Sequence, residues 1–251
     1  MAETAAVLEV DDVRRAFGGV RAVDGVSFAL ARGEIRALIG PNGAGKSTFF
    51  NILTGQLRAD AGEVRWRGRP ITGLPPHAIW RLGISRTFQI TATFATLTAL
   101  ENVQVARLSH AGESRALLTP AARLEVAPAR ALLAQVGLVE QAARPAGVLA
   151  YGDLKKLELA IALANDPALL LLDEPTAGMA PSERGALMKL TARIARERDL
   201  TVLFTEHDMD VVFGQADRFI VLDRGQLIAG GTPEEVRANP AVRAVYLGGA
   251  H

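Results

Sequence analysis

Apolar residues along this chain gather in short runs of strand length, and between these runs lie longer stretches with the spacing of amphipathic helices. Alternation of this kind is typical of a sheet with helices packed around it. The run Ala168–Leu172 is apolar throughout, as expected of a central strand buried on both faces. The pattern predicts strands at Leu8–Val10, Val26–Leu30, Ile35–Ile39, Val64–Trp66, Ala168–Leu172, Val202–Phe204, Phe219–Leu222 and Gln226–Ala229.

The middle of the chain, from about residue 90 to residue 147, is rich in Ala, Leu and Arg at helical spacing and carries little strand signal. Because strands are predicted on both sides, we interpret this stretch as a helical subdomain inserted into an α/β core. Thr119–Pro120 has the form of a helix start, with a capping threonine before a proline. Thr232–Glu235 has the form of a capping box that opens a last helix. The early strands and the turn at Asp223–Gln226 favour antiparallel pairing, so a mixed sheet is expected.

Composition narrows the classes of function. Of the 251 residues, 49% are hydrophobic, which is enough for a substantial core. The 28 Lys and Arg residues nearly balance the 27 Asp and Glu residues, so no nucleic-acid partner is expected. With no cysteine, disulfides and thiolate metal sites are excluded. The N-terminus lacks the basic start of a signal peptide, and no apolar run reaches the roughly 18 residues of a membrane span, so we expect any membrane role to come through a partner.

The segment GPNGAGKST, residues 40 to 48, matches the pattern G-x-x-x-x-G-K-[ST] between an apolar strand and a helix-like run. Glycines let successive backbone N–H groups turn onto phosphate oxygens, and a helix N-terminus adds positive potential. Lys46 is expected to reach the β- and γ-phosphates, and Ser47 to offer its hydroxyl to Mg²⁺. An incidental glycine-rich turn is disfavoured by the flanking elements. The predicted ATP-binding residues here are Gly40, Pro41, Asn42, Gly43, Ala44, Gly45, Lys46, Ser47 and Thr48.

Two carboxylates, Asp173 and Glu174, follow the most apolar strand at the edge where open α/β sheets bind ligands. Asp173 is suited to hold Mg²⁺ through water, and Glu174 to polarise the attacking water. Gln89 could sense Mg²⁺ and the lytic water, and His207 could reach the γ-phosphate. The alternatives are two solvated loop acids, a surface glutamine and a structural histidine. The order of all four residues relative to the phosphate loop favours the catalytic interpretation, with Glu174, His207 and Gln89 catalytic and Ser47, Gln89 and Asp173 at the metal.

Taken in order, the segments GPNGAGKST, TFQ, LAYGDLKKLELAIAL, LLLLDEPTAG and LFTEHDMDVV resemble the ATP-binding cassette (ABC) ATPases. The resemblance covers about Leu8 to Leu247. It implies an α/β fold: a RecA-like P-loop NTPase core with an antiparallel β subdomain and an inserted α-helical subdomain. The corresponding division is 1–89 and 155–232 for the core and antiparallel subdomain, 90–154 for the helical subdomain and 233–251 for C-terminal helices. It also implies that Phe17 stacks on adenine, although a core phenylalanine remains the alternative.

The segment LAYGD stands where this family has a Leu-Ser-Gly-Gly-Gln signature that faces the ATP bound by a partner subunit. Ala150 replaces the serine, Tyr151 the first glycine and Asp153 the glutamine, while Gly152 is retained. A helix at Leu154–Ala164 is expected to follow directly. The resemblance implies that these four residues face the partner's nucleotide. Because one hydroxyl contact is missing, ATP-driven closure is expected to be weaker. Ala180 stands where the family often has an aspartate that contacts the partner, so that contact does not carry over.

The AYG variant, the segments EPTAGMAP and TEHDMDVVF and the ending GTPEEVRANPAVRAVYLG look like ATPase subunits of branched-chain amino acid importers. That group also handles hydrophobic amino acids, amides and urea. Such importers usually carry two ATPase subunits, and the long insert between Gln89 and Tyr151 favours the larger one. This resemblance implies ATP and Mg²⁺ as cofactors and a place at the cytoplasmic face of the inner or plasma membrane. The implied partners are a second ABC ATPase subunit, identical or paralogous, two transmembrane permease subunits and, indirectly, a periplasmic-type solute-binding protein.

Permease docking is expected around Gln89–Leu100, where apolar side chains such as Phe94 and Leu97 need cover, although these residues could equally belong to the core. Two other functions share most of the motifs. One is the ATPase of a lipid or lipopolysaccharide exporter, and the other is a non-transport ABC ATPase of the DNA-repair or ribosome-associated kind.

Overall fold

The computed structural model describes residues 6–87, 93–111 and 125–247. Its strands are β1 (Ala6–Phe17), β2 (Val20–Ala31), β3 (Ile35–Ile39), β4 (Ala61–Trp66), β5 (Arg69–Pro70), β6 (Ile84–Thr87), β7 (Leu169–Asp173), β8 (Thr201–Thr205), β9 (Arg218–Asp223) and β10 (Gln226–Gly231). Its α-helices are α1 (Lys46–Leu53), α2 (Pro76–Arg81), α3 (Ala99–Ala111), α4 (Val126–Gln135), α5 (Tyr151–Ala162), α6 (Pro181–Glu197), α7 (Met209–Gln215), α8 (Pro233–Ala238) and α9 (Pro240–Leu247). Short 3-10 helices lie at Val139–Gln141 and Ala146–Val148.

The first sheet is antiparallel, with strand order β2-β1-β4-β5. Leu8 of β1 lies opposite Leu30 of β2 and Trp66 of β4, and all three side chains are buried. Alternate residues of each strand therefore point to one apolar face, as a half-buried antiparallel sheet requires. That face packs in one cluster with Phe49 and Phe50 of α1.

The second sheet has the order β10-β9-β3-β8-β7-β6, in which β10 pairs antiparallel with β9 and the other neighbours pair parallel. Leu170 and Leu171 of β7 are fully buried on opposite faces, in agreement with the continuous apolar run. Asp173 lies opposite Thr205, so the carboxyl ends of β7 and β8 meet at one edge of the sheet. The expected mixed sheet is confirmed.

The helices α3, α4 and α5 come between β6 and β7, and their apolar faces share a cluster that includes Val103, Leu133 and Leu157. The helical interpretation of the middle is therefore confirmed for its described residues. Helix α5 runs continuously across the expected boundary at 154/155, and the division into subdomains stays a prediction. Thr119–Pro120 lies outside the described residues.

All eight predicted strands are confirmed, most with longer or shifted ends, whereas β5 and β6 were not among the predicted ranges. The helix predicted at Leu154–Ala164 is confirmed as α5, but both of its ends were misplaced, since it begins at Tyr151 and ends at Ala162. Its first turn is partly polar, so the apolar periodicity starts one turn late. The capping box is confirmed: Thr232 Oγ1 accepts from the Glu235 N–H, and Glu235 Oε2 accepts from the Thr232 N–H. In the described ranges, no helix combines the length and apolar character of a membrane span.

Candidate nucleotide site

The phosphate loop joins β3 to α1, and its glycines are required by close backbone approaches. A Cβ on Gly45 would lie 2.0 Å from the carbonyl oxygen of Ala22, and one on Gly40 would lie 2.2 Å from that of Leu222. Gly45 also has φ of 98°, in the left-handed region that favours glycine. The loop therefore packs closely between β2 and the end of β9.

Helix α1 starts at Lys46 directly under this loop. No side chain caps it and no acidic residue occupies its first turn, in the part of the chain that is described. Its N-terminal end thus keeps the positive potential that binds anions. The described residues Asn42, Gly43, Ala44, Gly45, Lys46, Ser47 and Thr48 line one cavity together with Ala22 and Glu174.

Lys46 is buried at the base of this cavity. Its Nζ donates to the carbonyl oxygens of Gly40 at 2.7 Å and Pro41 at 3.0 Å. Burial lowers the pKa of Lys46, and the nearby charges of Glu174 and Asp173 act in the opposite direction. An anionic ligand next to this ammonium would replace part of the solvation that burial has removed.

Thr205 connects the Asp173 carboxylate with the backbone of Glu174 at the end of β7. Its hydroxyl donates to Asp173 Oδ1 at 2.8 Å and accepts from the Glu174 N–H at 3.0 Å. Glu174 itself has φ of 49°, a strained conformation for a residue other than glycine. Strain of this kind clusters at functional sites, and here the neighbouring strand holds it in place.

His207 lies directly against the candidate base. Its Nε2 is 2.7 Å from Glu174 Oε1, while the His207 side chain is 45% exposed and that of Glu174 is 18% exposed. Asp208 caps α7 by accepting from the Val211 N–H, which places His207 just before the helix start. The pair Glu174 and His207 therefore stands between the cavity and solvent.

Arg86 was not predicted as a site residue, yet it contacts the Asp173 carboxylate. Its Nη2 donates to Asp173 Oδ2 at 2.7 Å, and its Nη1 donates to Asn51 Oδ1 at 2.7 Å. Both Asp173 oxygens thus have protein donors, from Arg86 and Thr205. That arrangement suits a metal contact through water better than direct ligation.

Glu206 was also missed, and it holds the loop after Glu174. Its buried carboxylate accepts from the Thr176 N–H at 2.8 Å and from the Thr176 hydroxyl at 2.6 Å. The partner of Glu206 is 30 positions away in the chain, so no local pattern could reveal this bond.

Phe17 lies at the end of the β1–β2 hairpin, opposite Val20. Its ring is 44% exposed, and the Arg15 guanidinium carbon is 4.7 Å from the ring centroid. The ring is therefore not a core side chain, and Arg15 backs it while leaving surface for stacking. Stacking on adenine stays a prediction.

The signature segment lies at the start of α5, with Ala150 extended at the N-cap position and no side-chain cap. Asp153 bonds Lys156 Nζ at 3.0 Å instead of capping the helix. Tyr151 contacts Ala177 in the loop that follows Glu174. Contact of Ala150, Tyr151, Gly152 and Asp153 with a partner's nucleotide stays a prediction, and Gln89 lies outside the described residues.

A metal ion would need ligands from the nucleotide. The described residues contain no group of three His, Asp or Glu side chains able to hold an ion by themselves. Ser47 is exposed at the cavity and offers one hydroxyl oxygen, and Asp173 is nearby but occupied by donors. This donor set fits Mg²⁺, which keeps waters and takes phosphate oxygens, rather than a metal that demands a full protein cage.

A phosphate loop between a parallel strand and a helix, with an acidic pair at the end of another parallel strand of the same sheet, defines a P-loop nucleotide hydrolase. The family model described as "ABC transporter" matches residues 23–177, and one described as "Branched-chain amino acid ATP-binding cassette transporter" matches residues 226–251. The chain belongs to the ABC transporter family, as an ATP-binding cassette ATPase with the C-terminal segment of the branched-chain amino acid group. The resemblance found in the sequence is confirmed.

Relatives cover nearly the whole chain. The "high-affinity branched-chain amino acid transport ATP-binding protein LivG" of Salmonella typhimurium is 44% identical, over 97% of this chain and 98% of its own. The corresponding protein BraF of Pseudomonas aeruginosa is 42% identical over the same shares.

Solved cassettes share the fold. A nucleotide-free ATP-binding cassette of an ABC transporter has a TM-score of 0.85 at 31% identity and covers 96% of this chain and 99% of its own. The ADP conformation of the cassette MJ1267 has a TM-score of 0.84 at 32% identity, over 98% and 100%. A dimeric, post-hydrolysis state of the cassette MJ0796 with ADP and Pi has a TM-score of 0.75 at 26% identity, over 90% and 98%. The predicted fold class is confirmed.

Proposed function

We propose that this chain is the ATP-hydrolysing subunit of an importer for branched-chain or other hydrophobic amino acids, amides or urea. The observation that carries the proposal is the pairing of Glu174 with His207 at a phosphate loop, in a chain whose C-terminal segment matches the branched-chain group. The names of relatives that match nearly end to end support the transported class.

The proposed chemistry uses the groups at the cavity. Backbone N–H groups of the loop and Lys46 bind the phosphates, and Ser47 with a water-linked Asp173 would hold Mg²⁺, which neutralises developing charge on the phosphates. Glu174 orients the attacking water and accepts its proton, and His207, 2.7 Å from Glu174, fixes the carboxylate near the γ-phosphate. Phe17 stacks on the adenine.

The proposed working unit is a pair of cassettes, each completing the site of the other. The dimeric MJ0796 structure shows that a related cassette can pair. The helix that starts at Tyr151 has an uncapped N-terminus in the described structure, which suits an anion supplied from a partner. The pair, homomeric or with a paralogue, would be attached to two permease subunits at the cytoplasmic face of the membrane and served by a solute-binding protein.

A groove between the core and the helices is the proposed permease contact. It is lined by residues that include Trp80, Phe94, Asn102, Val105 and Ile161. The Phe94 ring is 56% exposed, although its backbone is fixed: the Phe94 N–H donates to Asn102 Oδ1 at 2.8 Å, and Asn102 Nδ2 donates to the Phe94 carbonyl at 3.1 Å. A held, outward apolar ring is the feature expected of an anchor.

The docking proposal can be tested with Phe94→Asp and, as matched control, Val139→Asp at another exposed apolar position. We expect Phe94→Asp to lose copurification with its permease subunits while basal ATP hydrolysis is unchanged. The control should retain both. Undiminished assembly of Phe94→Asp would contradict the assignment of this groove.

The catalytic proposal is tested by Glu174→Gln, with Glu197→Gln on the exposed end of α6 as control. We expect Glu174→Gln to bind ATP with parental affinity and to hydrolyse it at less than about one-hundredth of the parental rate, because it removes a general base. Hydrolysis at the parental rate would show that Glu174 is not the base.

A further inference from the structure

The tyrosine in the altered signature is bonded within its own chain. Tyr151 is the first residue of α5, and its hydroxyl donates to the carbonyl oxygen of Ala177 at 2.9 Å. Ala177 lies on the loop that leaves Glu174 and leads to Ala180, the cap position of α6. One hydrogen bond therefore connects the start of the signature helix with the loop that follows the candidate base.

Packing around this bond is close. Gly178 has φ of 78°, and a Cβ there would lie 3.0 Å from the Tyr151 hydroxyl oxygen. A Cβ on Gly152 would lie 3.1 Å from Glu183 Oε1, in the first turn of α6. The first turn of α5 thus packs against the loop through the Tyr151 ring and against the start of α6 at Gly152.

The contact continues along one face of α5, through Lys155 and Glu158. Lys155 Nζ is 5.5 Å from the Tyr151 ring centroid and 3.0 Å from Glu158 Oε2. Both charged side chains are buried and line a small cavity with Asp173 and Pro175. The phenol is therefore the outer end of a row of contacts that reaches the carboxyl end of β7.

We propose that Tyr151 is a positioning residue whose hydroxyl fixes the loop 177–180 to the signature helix of the same chain. The loop 177–180 and the start of α5, the two surfaces that would face the partner cassette, then move as one unit. The backbone at the start of α5 contacts the partner's nucleotide. A glycine at position 151 would have no side chain with which to hold the loop. The inference rests on the proposed pairing of cassettes.

We call the hydrogen bond from the Tyr151 hydroxyl to the Ala177 carbonyl the tether. It is tested in the isolated chain with Tyr151→Phe, which removes only the hydroxyl. Thr191→Val is the matched control, because it removes a hydroxyl-to-carbonyl bond of the same 2.9 Å length inside a single helix. We expect hydrogen exchange of residues 177–180 to be about three- to tenfold faster in Tyr151→Phe, as for loss of one hydrogen bond, and unchanged in the control. Equal exchange in Tyr151→Phe and the parent would overturn the inference.

The effect of the tether on pairing is tested in the Glu174→Gln background. The dimer Kd is measured at a series of ATP and protein concentrations. We expect Tyr151→Phe to raise the dimer Kd about three- to tenfold per tether while ATP affinity of the single chain stays parental. An unchanged dimer Kd overturns the positioning role and leaves the proposed function standing. If the Glu174→Gln parent itself stays monomeric with ATP, the proposed pairing fails, and the exchange experiment alone decides the tether.

Discussion

At the scale of single residues, Thr205 supports the Asp173 carboxylate and the Glu174 backbone, although no motif assigns it a role. Its hydroxyl donates to Asp173 and accepts from the backbone of Glu174, and it is fully buried. Replacing it leaves one acceptor and one donor without that partner, in a place where water cannot easily substitute. The strained Glu174 backbone is the part of the site that depends on this bond.

We therefore expect Thr205→Val to lower the free energy of unfolding by about 1–3 kcal/mol and to lower kcat while KM for ATP changes little. Thr201→Val is the control, since Thr201 lies at the other end of β8 and its hydroxyl accepts from the Gly33 N–H, away from the two acids. Denaturant unfolding and steady-state hydrolysis measure the two effects. A parental kcat in Thr205→Val would show that the hydroxyl does not position Glu174.

At the scale of elements, the unit β3–loop–α1 was predictable because its signals are local: an apolar run, a glycine pattern and a lysine next to a helix. The predicted strand Ile35–Ile39 agrees with β3 at both ends. The start of α5 was not predictable in this way, since its first turn contacts α6 and the loop at Ala177 rather than the core. Likewise, Arg86 and Asp173 are 87 positions apart, and only the fold brings them together.

The uncapped start of α5 leads to a prediction about Ala150. A serine there would accept from a first-turn N–H or donate to a partner's phosphate, and a hydrogen bond to a charged group contributes about 1.5–3 kcal/mol. We expect Ala150→Ser in the Glu174→Gln background to tighten ATP-dependent pairing by about tenfold or more. Ala134→Ser, at an exposed position of α4, is the control. Pairing that is no tighter would show that the serine position makes no phosphate contact in this chain.

The C-terminal helix α9 contains a tyrosine, Tyr246, whose pKa is raised. The Tyr246 side chain is 38% exposed, and the partial burial of its phenol raises the pKa from 10.0 to about 12, partly offset by a hydrogen bond from the Gly40 backbone. Below pH 10 the phenol is neutral in both the folded and the unfolded chain. Between about pH 10 and pH 12 the unfolded chain loses this proton first, so the free energy of unfolding falls as pH rises.

We expect Tyr246→Phe to lose less stability than the parent over that alkaline interval, because the linked ionisation is removed. Denaturant unfolding at a series of pH values gives the comparison, and the difference should vanish below pH 10, where neither phenol is ionised. The same slope in both proteins would mean that Tyr246 titrates with its ordinary pKa.

At the scale of the whole molecule, one chain supplies a phosphate loop with a hydrolytic pair and, on α5, an uncapped helix start. The tether from Tyr151 to Ala177 connects the helical insert with the loop after Glu174, and Arg184 connects that loop to the start of α7 by donating to Met179 O and Asp208 Oδ2. The proposed surface for a partner cassette and the nucleotide cavity are thus connected within the chain. That connection supports the proposal that hydrolysis takes place in a pair.

The most direct measurement is sedimentation velocity of the Glu174→Gln protein with Mg²⁺ and ATP, with ADP as the matched condition. ATP-dependent pairing predicts a dimer that holds two ATP molecules and a monomer with ADP. A Glu174→Gln chain that is saturated with ATP yet sediments as a monomer at every protein concentration would contradict it.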